Sequence, residues 1–276
     1  MLFVKKVRSP LRYPGGKSRA IKKILPLIPK DYKEFREPFV GGGSIFLAAK
    51  QEISEDALYV ISDLNYDLYC FWKEAQENMD GLVKEIELIK EGFKDGRKLY
   101  HKLIEIEKMT DFERAVRFFV LNRITFSGTV DSGGYSEDAF QNRFTKSSIE
   151  RLKLLSKPLE GVNVYHGDYE DFVFQEGEDV FIFLDPPYLR QSKSKLYGKN
   201  GDLHTSFDHK KLANNMKNCK HKWLITLDDT PEIWEMFSFA YIYEWELQYG
   251  MNNYKKKNAK KGKELFISNY KLDFDF

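Results

Sequence analysis

Residues 180–188 read VFIFLDPPY: the most apolar run in the chain, VFIFL, stops abruptly at an acid, two prolines and a phenol. Proline lacks a backbone donor and fixes its φ, so Pro186 and Pro187 end the strand that the apolar run predicts. The residue before a proline is pushed away from the helical region, which holds Asp185 extended at the strand mouth. An Asp ahead of prolines is also an ordinary turn opener. The surrounding sequence has to decide whether the string carries chemistry.

Working outward, FREPFVGGGSIFLAAK (residues 35–50) sets a short extended segment before a glycine cluster and a helical start. ALYVISDLN (residues 57–65) follows as an apolar strand ending in Asp63, and VNVYHGDY (residues 162–169) is another that ends in Asp168 and Tyr169. Strand, glycine turn, helix, strand and acid open a parallel α/β sheet. Three acids at the carboxyl ends of parallel strands, Asp63, Asp168 and Asp185, would line the crevice where open α/β sheets bind ligands. Glycines at a strand-to-helix turn let a ligand approach the backbone, and an acid about 20 residues on suits ribose hydroxyls. The cluster is not a dinucleotide fingerprint, because Phe46 stands where the third glycine belongs after Gly41 and Gly43.

Upstream, LRYPGGKS (residues 11–18) leads into a helix expected over RAIKKILPLI and closed by Pro26 and Pro29. Its GKS invites a phosphate-loop reading, but Leu11 occupies the position of the required first glycine, which excludes a nucleoside triphosphate there. What survives is a turn that sets Tyr13 and Lys17 beside a ligand, against a plain solvated loop. Between Asp67 and Arg123 long charged helices are expected, the last with Thr110 and Glu113 at capping-box spacing. Phe112, Ala115, Val116, Phe119 and Val120 make its core-facing stripe. ITFSGTVDSGGYS (residues 124–136) then reads as an exposed loop or hairpin, and KWLITLDD, FAYIYEWEL and ELFISNYKL resume the strands.

Composition sets the outer bounds. The 276 residues, 42% hydrophobic and 15% aromatic, suffice for one large α/β domain interrupted by a mostly helical insertion. Cys70 and Cys219 form neither a C-x-x-C pair nor a zinc signature, and the scattered histidines give no metal spacing, so no metal site is expected. The amino-terminal MLFVKKVRSP is too short in apolar residues for a signal peptide and no run approaches a membrane span, so a cytoplasmic protein without membrane attachment is expected. Basic and acidic residues nearly cancel, 44 against 42, but KKKNAKKGK (residues 255–263) holds six lysines. That run is either a solvated loop or a phosphate-contacting patch.

RYPGGKS, EPFVGGGSIFL, Asp63, LNR with its Gly-Ser loop, HGDY, DPPY, LHTSFDHKKLA and the closing ELFISNY occur in the order found in Dam-type adenine-specific DNA methyltransferases. The chain resembles that family along essentially its whole length. The resemblance implies a Rossmann-like, S-adenosylmethionine-dependent methyltransferase domain, residues 1–68 with 155–276, and a target-recognition insertion of helices and loop, residues 69–154, acting on double-stranded DNA. It implies cofactor-region roles for Tyr13, Lys17, Pro38, Phe39, Gly41, Gly43, Asp168, Tyr169 and Asp185, and ribose binding for Asp63. Asp185, Pro186, Pro187 and Tyr188 match the catalytic tetrapeptide. The exocyclic amine of adenine is a poor nucleophile because its lone pair is delocalised. The Asp185 carboxylate and the Pro186 carbonyl would accept its two hydrogens, and Tyr188 would stack on the extruded base.

For DNA contacts the resemblance points to Arg123, Phe126, Ser127, Asp131 and Arg143, with Lys255, Lys256 and Lys260 in the lysine run. Phe126 matches an aromatic that wedges into the base stack, or else closes the loop as a core side chain. Asp131 stands about where GATC-reading members carry a guanine-contacting arginine; an acid accepts from cytosine's amine or holds a neighbouring side chain. The resemblance therefore does not imply GATC. Amino-directed (N4) cytosine methylation and a catalytically silent DNA-binding relative are the competing functions, and a cognate restriction endonuclease is a candidate partner.

Overall fold

The structure is a computed structural model and describes residues 6–130, 132–189, 207–247 and 262–273. These residues form a seven-stranded sheet: β1 (Glu34–Glu37), β2 (Leu58–Asp63), β3 (Val162–His166), β4 (Val180–Leu184), β5 (Lys222–Asp228), β6 (Tyr241–Leu247) and β7 (Gly262–Ser268). Their order across the sheet is β3-β2-β1-β4-β5-β7-β6. β1 to β5 are mutually parallel, and β7 runs antiparallel between β5 and β6. The chain lays β2 and β3 on one side of β1, then returns to place β4 on the other. That reversal opens a crevice at the carboxyl ends of β1 and β4, the usual ligand position in such sheets.

β4 shows why its sequence is apolar throughout. All five residues are buried, and successive side chains point to opposite faces. Phe181 and Phe183 join one core with Phe35, Tyr59 and Ile61, whereas Val180, Ile182 and Leu184 join a second with Trp223, Ile225 and Leu227. Each fully buried side chain of this size contributes about 1.5–3 kcal/mol.

The helices are α1 (Ile21–Ile24), α2 (Ser44–Glu52), α3 (Tyr66–Glu77), α4 (Met79–Gly92), α5 (Gly96–Ile104), α6 (Asp111–Ile124), α7 (Glu137–Asn142), α8 (Lys146–Lys153), α9 (Ser156–Leu159), α10 (Tyr169–Val173), α11 (His209–Asn218) and α12 (Pro231–Met236). The continuous helix expected over residues 19–28 is instead split into 3₁₀ turns at Lys17–Arg19 and Leu25–Leu27 around α1. Pro26 has no N–H for an α-helical bond, and the chain tightens there. The Thr110–Glu113 capping box forms as expected and starts α6. α6 packs along α3, where Arg114 and Arg117 both reach Asp67 at 2.7 and 2.9 Å. Phe71, Phe118 and Phe119 carry the sheet's core into these helices without a break. No helix among the described residues is long and apolar enough to cross a membrane.

Candidate active site

The end of β4 is held from four directions. Lys17, only 3% exposed, places its Nζ 2.7 and 2.9 Å from the two carboxylate oxygens of Asp185 and also donates to the Gly15 carbonyl. β5 runs past the point where the prolines stop β4, so Thr226 stands level with Asp185 and donates to its Oδ1 at 2.7 Å. The His209 Nε2–H donates to the Pro187 carbonyl at 2.8 Å, and the backbone N–H of Leu189 donates to Asp228 at 2.9 Å. The Tyr188 hydroxyl donates to Glu264 Oε2 at 2.8 Å.

Sheet register explains this convergence. Thr226 and Asp228 are two apart on β5 and share a face, and Glu264 on β7 sits directly opposite Asp228. Burial pushes the Glu264 carboxyl up to about 7; Asp185 and Asp228 push the same way, while Lys17 and the Tyr188 hydroxyl oppose them. Tyr188 is 7% exposed, its phenol pushed well up by burial, and the Lys17 ammonium lies 4.9 Å from the ring centroid. The acidic face thus gathers around one buried ammonium.

The glycine turn between β1 and α2 forms the opposite wall. Gly43, the residue ahead of α2, has no side chain to cap the helix, and the Glu37 carboxylate accepts from the Phe46 N–H at 2.7 Å instead. Burial holds that carboxyl well above its ordinary range. Gly41 has φ +45° and its N–H donates to Asp63 at 3.0 Å, while the Asn65 N–H donates to the other Asp63 oxygen at 3.0 Å. Burial pushes the Asp63 carboxyl up, and these donors pull it back. A Cβ on Gly41 would meet the Tyr13 ring at 2.8 Å, and one on Gly43 would lie 2.5 Å from Phe46 and 2.6 Å from Trp72. Gly43→Ala should therefore be costly: about 1–2 kcal/mol for the left-handed backbone, at φ +66°, and about 1–3 kcal/mol for overpacking. A urea titration checks it, and an unchanged midpoint contradicts this packing.

Between these walls lies one pocket. It is lined by Tyr13, Lys17, Pro38, Phe39, Gly41 and Gly43, by Asp63, Asp168 and Tyr169, and by Asp185, Pro186, Pro187 and Tyr188. All the residues that the resemblance implied for cofactor and catalysis therefore line a single space. Asp168 is exposed at its rim and caps α10, accepting from the Glu170 N–H at 3.0 Å. Tyr169 is buried, its ring stacked on Phe39 with centroids 5.3 Å apart and its hydroxyl accepting from Asn215. The pocket fits an elongated ligand with a polar, hydroxyl-bearing part: a strand-end carboxylate at Asp63, a glycine cradle with no room for side chains, and an aromatic wall.

The described residues expected at a DNA surface differ in exposure. Phe126 is 65% exposed, so it is not a core side chain closing the loop. Ser127 beside it is half-buried in a left-handed conformation, φ 55°. Arg143 is exposed. Arg123, by contrast, is 4% exposed: the inward face of α6 carries it under the surface, 5.3 Å over the Phe119 ring, so it offers no surface contact as it lies. Its Nε has no partner among the described residues. Burial, followed by the charges of Arg151, Arg12 and Arg143, lowers it to about 9. Asp131, Lys255, Lys256 and Lys260 lie outside the described residues.

Asn122 joins this region to the pocket. Its side chain accepts from the Arg12 N–H and donates to the carbonyls of Arg12 and Gly128, each at 2.9 Å. The loop bearing Phe126 is thereby tied to the loop bearing Tyr13. Thr226, Asp228, Glu264, Glu37 and Arg12 were not singled out from sequence; the visible trace of Glu264 is an acid opening the apolar run ELFIS.

A family model described as D12 class N6 adenine-specific DNA methyltransferase matches residues 13–251. The chain is 24% identical over 278 residues to the type II methyltransferase M1.LlaDCHI of Lactococcus lactis subsp. cremoris, spanning 94% of each protein. It is 24% identical over 265 residues to a DNA adenine methylase of Haemophilus influenzae, spanning 91% of this chain and 90% of that protein. A DNA N-6-adenine-methyltransferase of Escherichia phage P1 matches 83% of this chain, also at 24% identity, over 31% of its own length.

Proposed function

The chain belongs to the D12 class of N6 adenine-specific DNA methyltransferases, and from that premise we propose how its own residues perform the transfer. The protein methylates the exocyclic amine of adenine in DNA. In this reading S-adenosylmethionine is held along the glycine turn, with Asp63 accepting from the ribose hydroxyls and Phe39 and Tyr169 walling the pocket. The cofactor, when bound, supplies an electrophilic methyl group on a sulfonium sulfur. Asp185 accepts one amine hydrogen and the Pro186 carbonyl the other, which localises the nitrogen lone pair. Lys17 and Thr226 hold the Asp185 carboxylate in place, so little reorganisation is needed when the base arrives.

The observation that carries this reading is the fourfold mounting of residues 185–189 beside the glycine cradle. Residues 69–154 act as the target-recognition insertion, with residues 1–68 and 155–276 as the catalytic unit on double-stranded DNA. Arg12 and Arg143 face the phosphates. The type II name of the Lactococcus relative favours a cognate restriction endonuclease as partner. The test is transfer from methyl-labelled donor to duplex DNA, followed by nucleoside mass spectrometry. N6-methyladenine is expected; N4-methylcytosine alone would refute the reading.

Phe126 is assigned to the gap left when the base swings out. Phe126→Ala should weaken binding to target DNA by about 1–3 kcal/mol, roughly 5- to 150-fold, the range of aromatic–base stacking. With the ring 65% exposed, stability should move by no more than about 0.5 kcal/mol. Fluorescence of 2-aminopurine at the target position reports extrusion, and a normal signal in the variant would rule the wedge out.

A further inference from the structure

We infer that Glu264 is the terminal acceptor of the proton that the adenine amine gives up, reached from Asp185 through the hydroxyls of Thr226 and Tyr188. The inference rests on the assignment of Asp185 to the amine made above and adds the fate of the proton. Methyl transfer makes the N6–CH3 bond from the amine lone pair as the donor's S–CH3 bond breaks, its electron pair staying on sulfur. N6 then bears two hydrogens and a positive charge, and must lose one proton to become the neutral product. Asp185, hydrogen-bonded to the amine, is the base within reach.

The Asp185 carboxylate is the partner of the Lys17 ammonium, which touches both its oxygens, so passing the proton on restores that ion pair. A path leads onward. Thr226 Oγ1 donates to Asp185 Oδ1 at 2.7 Å, the Thr226 hydroxyl lies close enough to act on the Tyr188 phenol, and the Tyr188 hydroxyl donates to Glu264 Oε2 at 2.8 Å. When Asp185 carries the proton it donates to Thr226 Oγ1, the Thr226 hydroxyl turns from Asp185 to Tyr188, and each hydroxyl takes one proton and releases its own. The net change is one proton moved from N6 to Glu264, with Lys17 still charged and both hydroxyls restored. Glu264 is 1% exposed and suits an acceptor that must take a proton near neutrality and release it again, its carboxyl being pushed up to about 7 by burial. Among the described residues the charged and titratable groups acting on it include Lys17 from the 3₁₀ turn, Asp185 and Tyr188 after β4, and Asp228 on β5; its β6 neighbour, Trp245, does not ionise.

Glu264 acts through Tyr188 and is a positioning residue by that definition, so its test needs a readout that packing alone would not move. Single-turnover methylation by the full chain is followed across the neutral range. The wild-type rate should rise with pH with a midpoint near 7, as Glu264 becomes the accepting carboxylate. Glu264→Gln keeps an acceptor for the Tyr188 hydroxyl but takes up no proton; its rate should fall by about 10²-fold with that limb abolished. Tyr188→Phe keeps the ring and cuts the path, and the double variant should be no slower than the slower single one. Independently of turnover, infrared titration of the protein alone should show a carboxyl band with its midpoint near 7 that Glu264→Gln removes. An unchanged rate in Glu264→Gln, a slowed variant that keeps the limb, or the lack of that band would each overturn the relay. Wild type that leaves adenine unmethylated would count against the function itself, and the infrared arm separates the two failures.

Discussion

Asp185→Ala is expected to lower the single-turnover rate of adenine methylation by about 10²–10³-fold while leaving DNA affinity nearly unchanged. The carboxylate is assigned to the amine in the transition state, and nothing in its position grips the duplex. Asp185→Asn retains one carbonyl acceptor and should lose less. The order of rates, wild type above Asn above Ala, is the diagnostic, because a purely structural role for Asp185 would not rank the two variants by acceptor strength. Stability needs measuring alongside. Removing the carboxylate strands a Lys17 ammonium that is 3% exposed, and breaking a buried pair in this way costs about 3–5 kcal/mol. Lys17→Met in the Asp185→Ala background should recover much of that stability and none of the activity. A double variant that regained methylation would remove Asp185 from the mechanism.

A loss of stability of similar size is expected at Arg36, far from any chemistry. Its guanidinium is fully buried, donates to Glu34 at 2.7 Å, to the carbonyls of Phe172 and Gln175 at 2.7 Å each, and to that of Glu176 at 3.0 Å. It pins the chain between α10 and β4, and α10 in turn begins at the pocket rim. Arg36→Ala leaves those carbonyls and the Glu34 carboxylate without their donor and should cost about 3–5 kcal/mol in urea unfolding. Arg36→Lys keeps the charge but not the planar fork, and should still lose part of that. A midpoint shift under about 1 kcal/mol in Arg36→Ala would mean that the segment finds other partners.

Much of the pocket was legible because it depends on local chemistry. Glycines before a helix, acids at strand ends and prolines after an apolar run are contiguous signals, and the sheet brings Asp63, Asp168 and Asp185 to one end as parallel order requires. Thr226 and Glu264 were not legible, because Thr226 depends on β5 pairing parallel with β4 and Glu264 on β7 pairing antiparallel with β5 in one register, with Asp228 opposite Glu264. A shift of one residue would turn Glu264 to the other face. Arg123 misleads for a related reason. Its place at the end of α6 looks like a surface cation in sequence, but Ala115, Val116, Phe119 and Val120 set an inward face that continues beneath it. The broken helix near Pro26 is a smaller case, a preference overruled by one missing donor.

The order β5-β7-β6 has a consequence for biosynthesis. β7, the last strand in chain order among the described residues, is an interior strand that separates β5 from β6 on either side. A nascent chain arrested before residue 262 therefore has β4 and β5 in hand but an unfilled slot in the sheet, with the β5 edge exposed. It also lacks the carboxylate that receives the Tyr188 hydroxyl. Translation must pass this strand before the sheet closes, so a ribosome-bound or truncated chain would present a sticky, incomplete sheet instead of a premature enzyme.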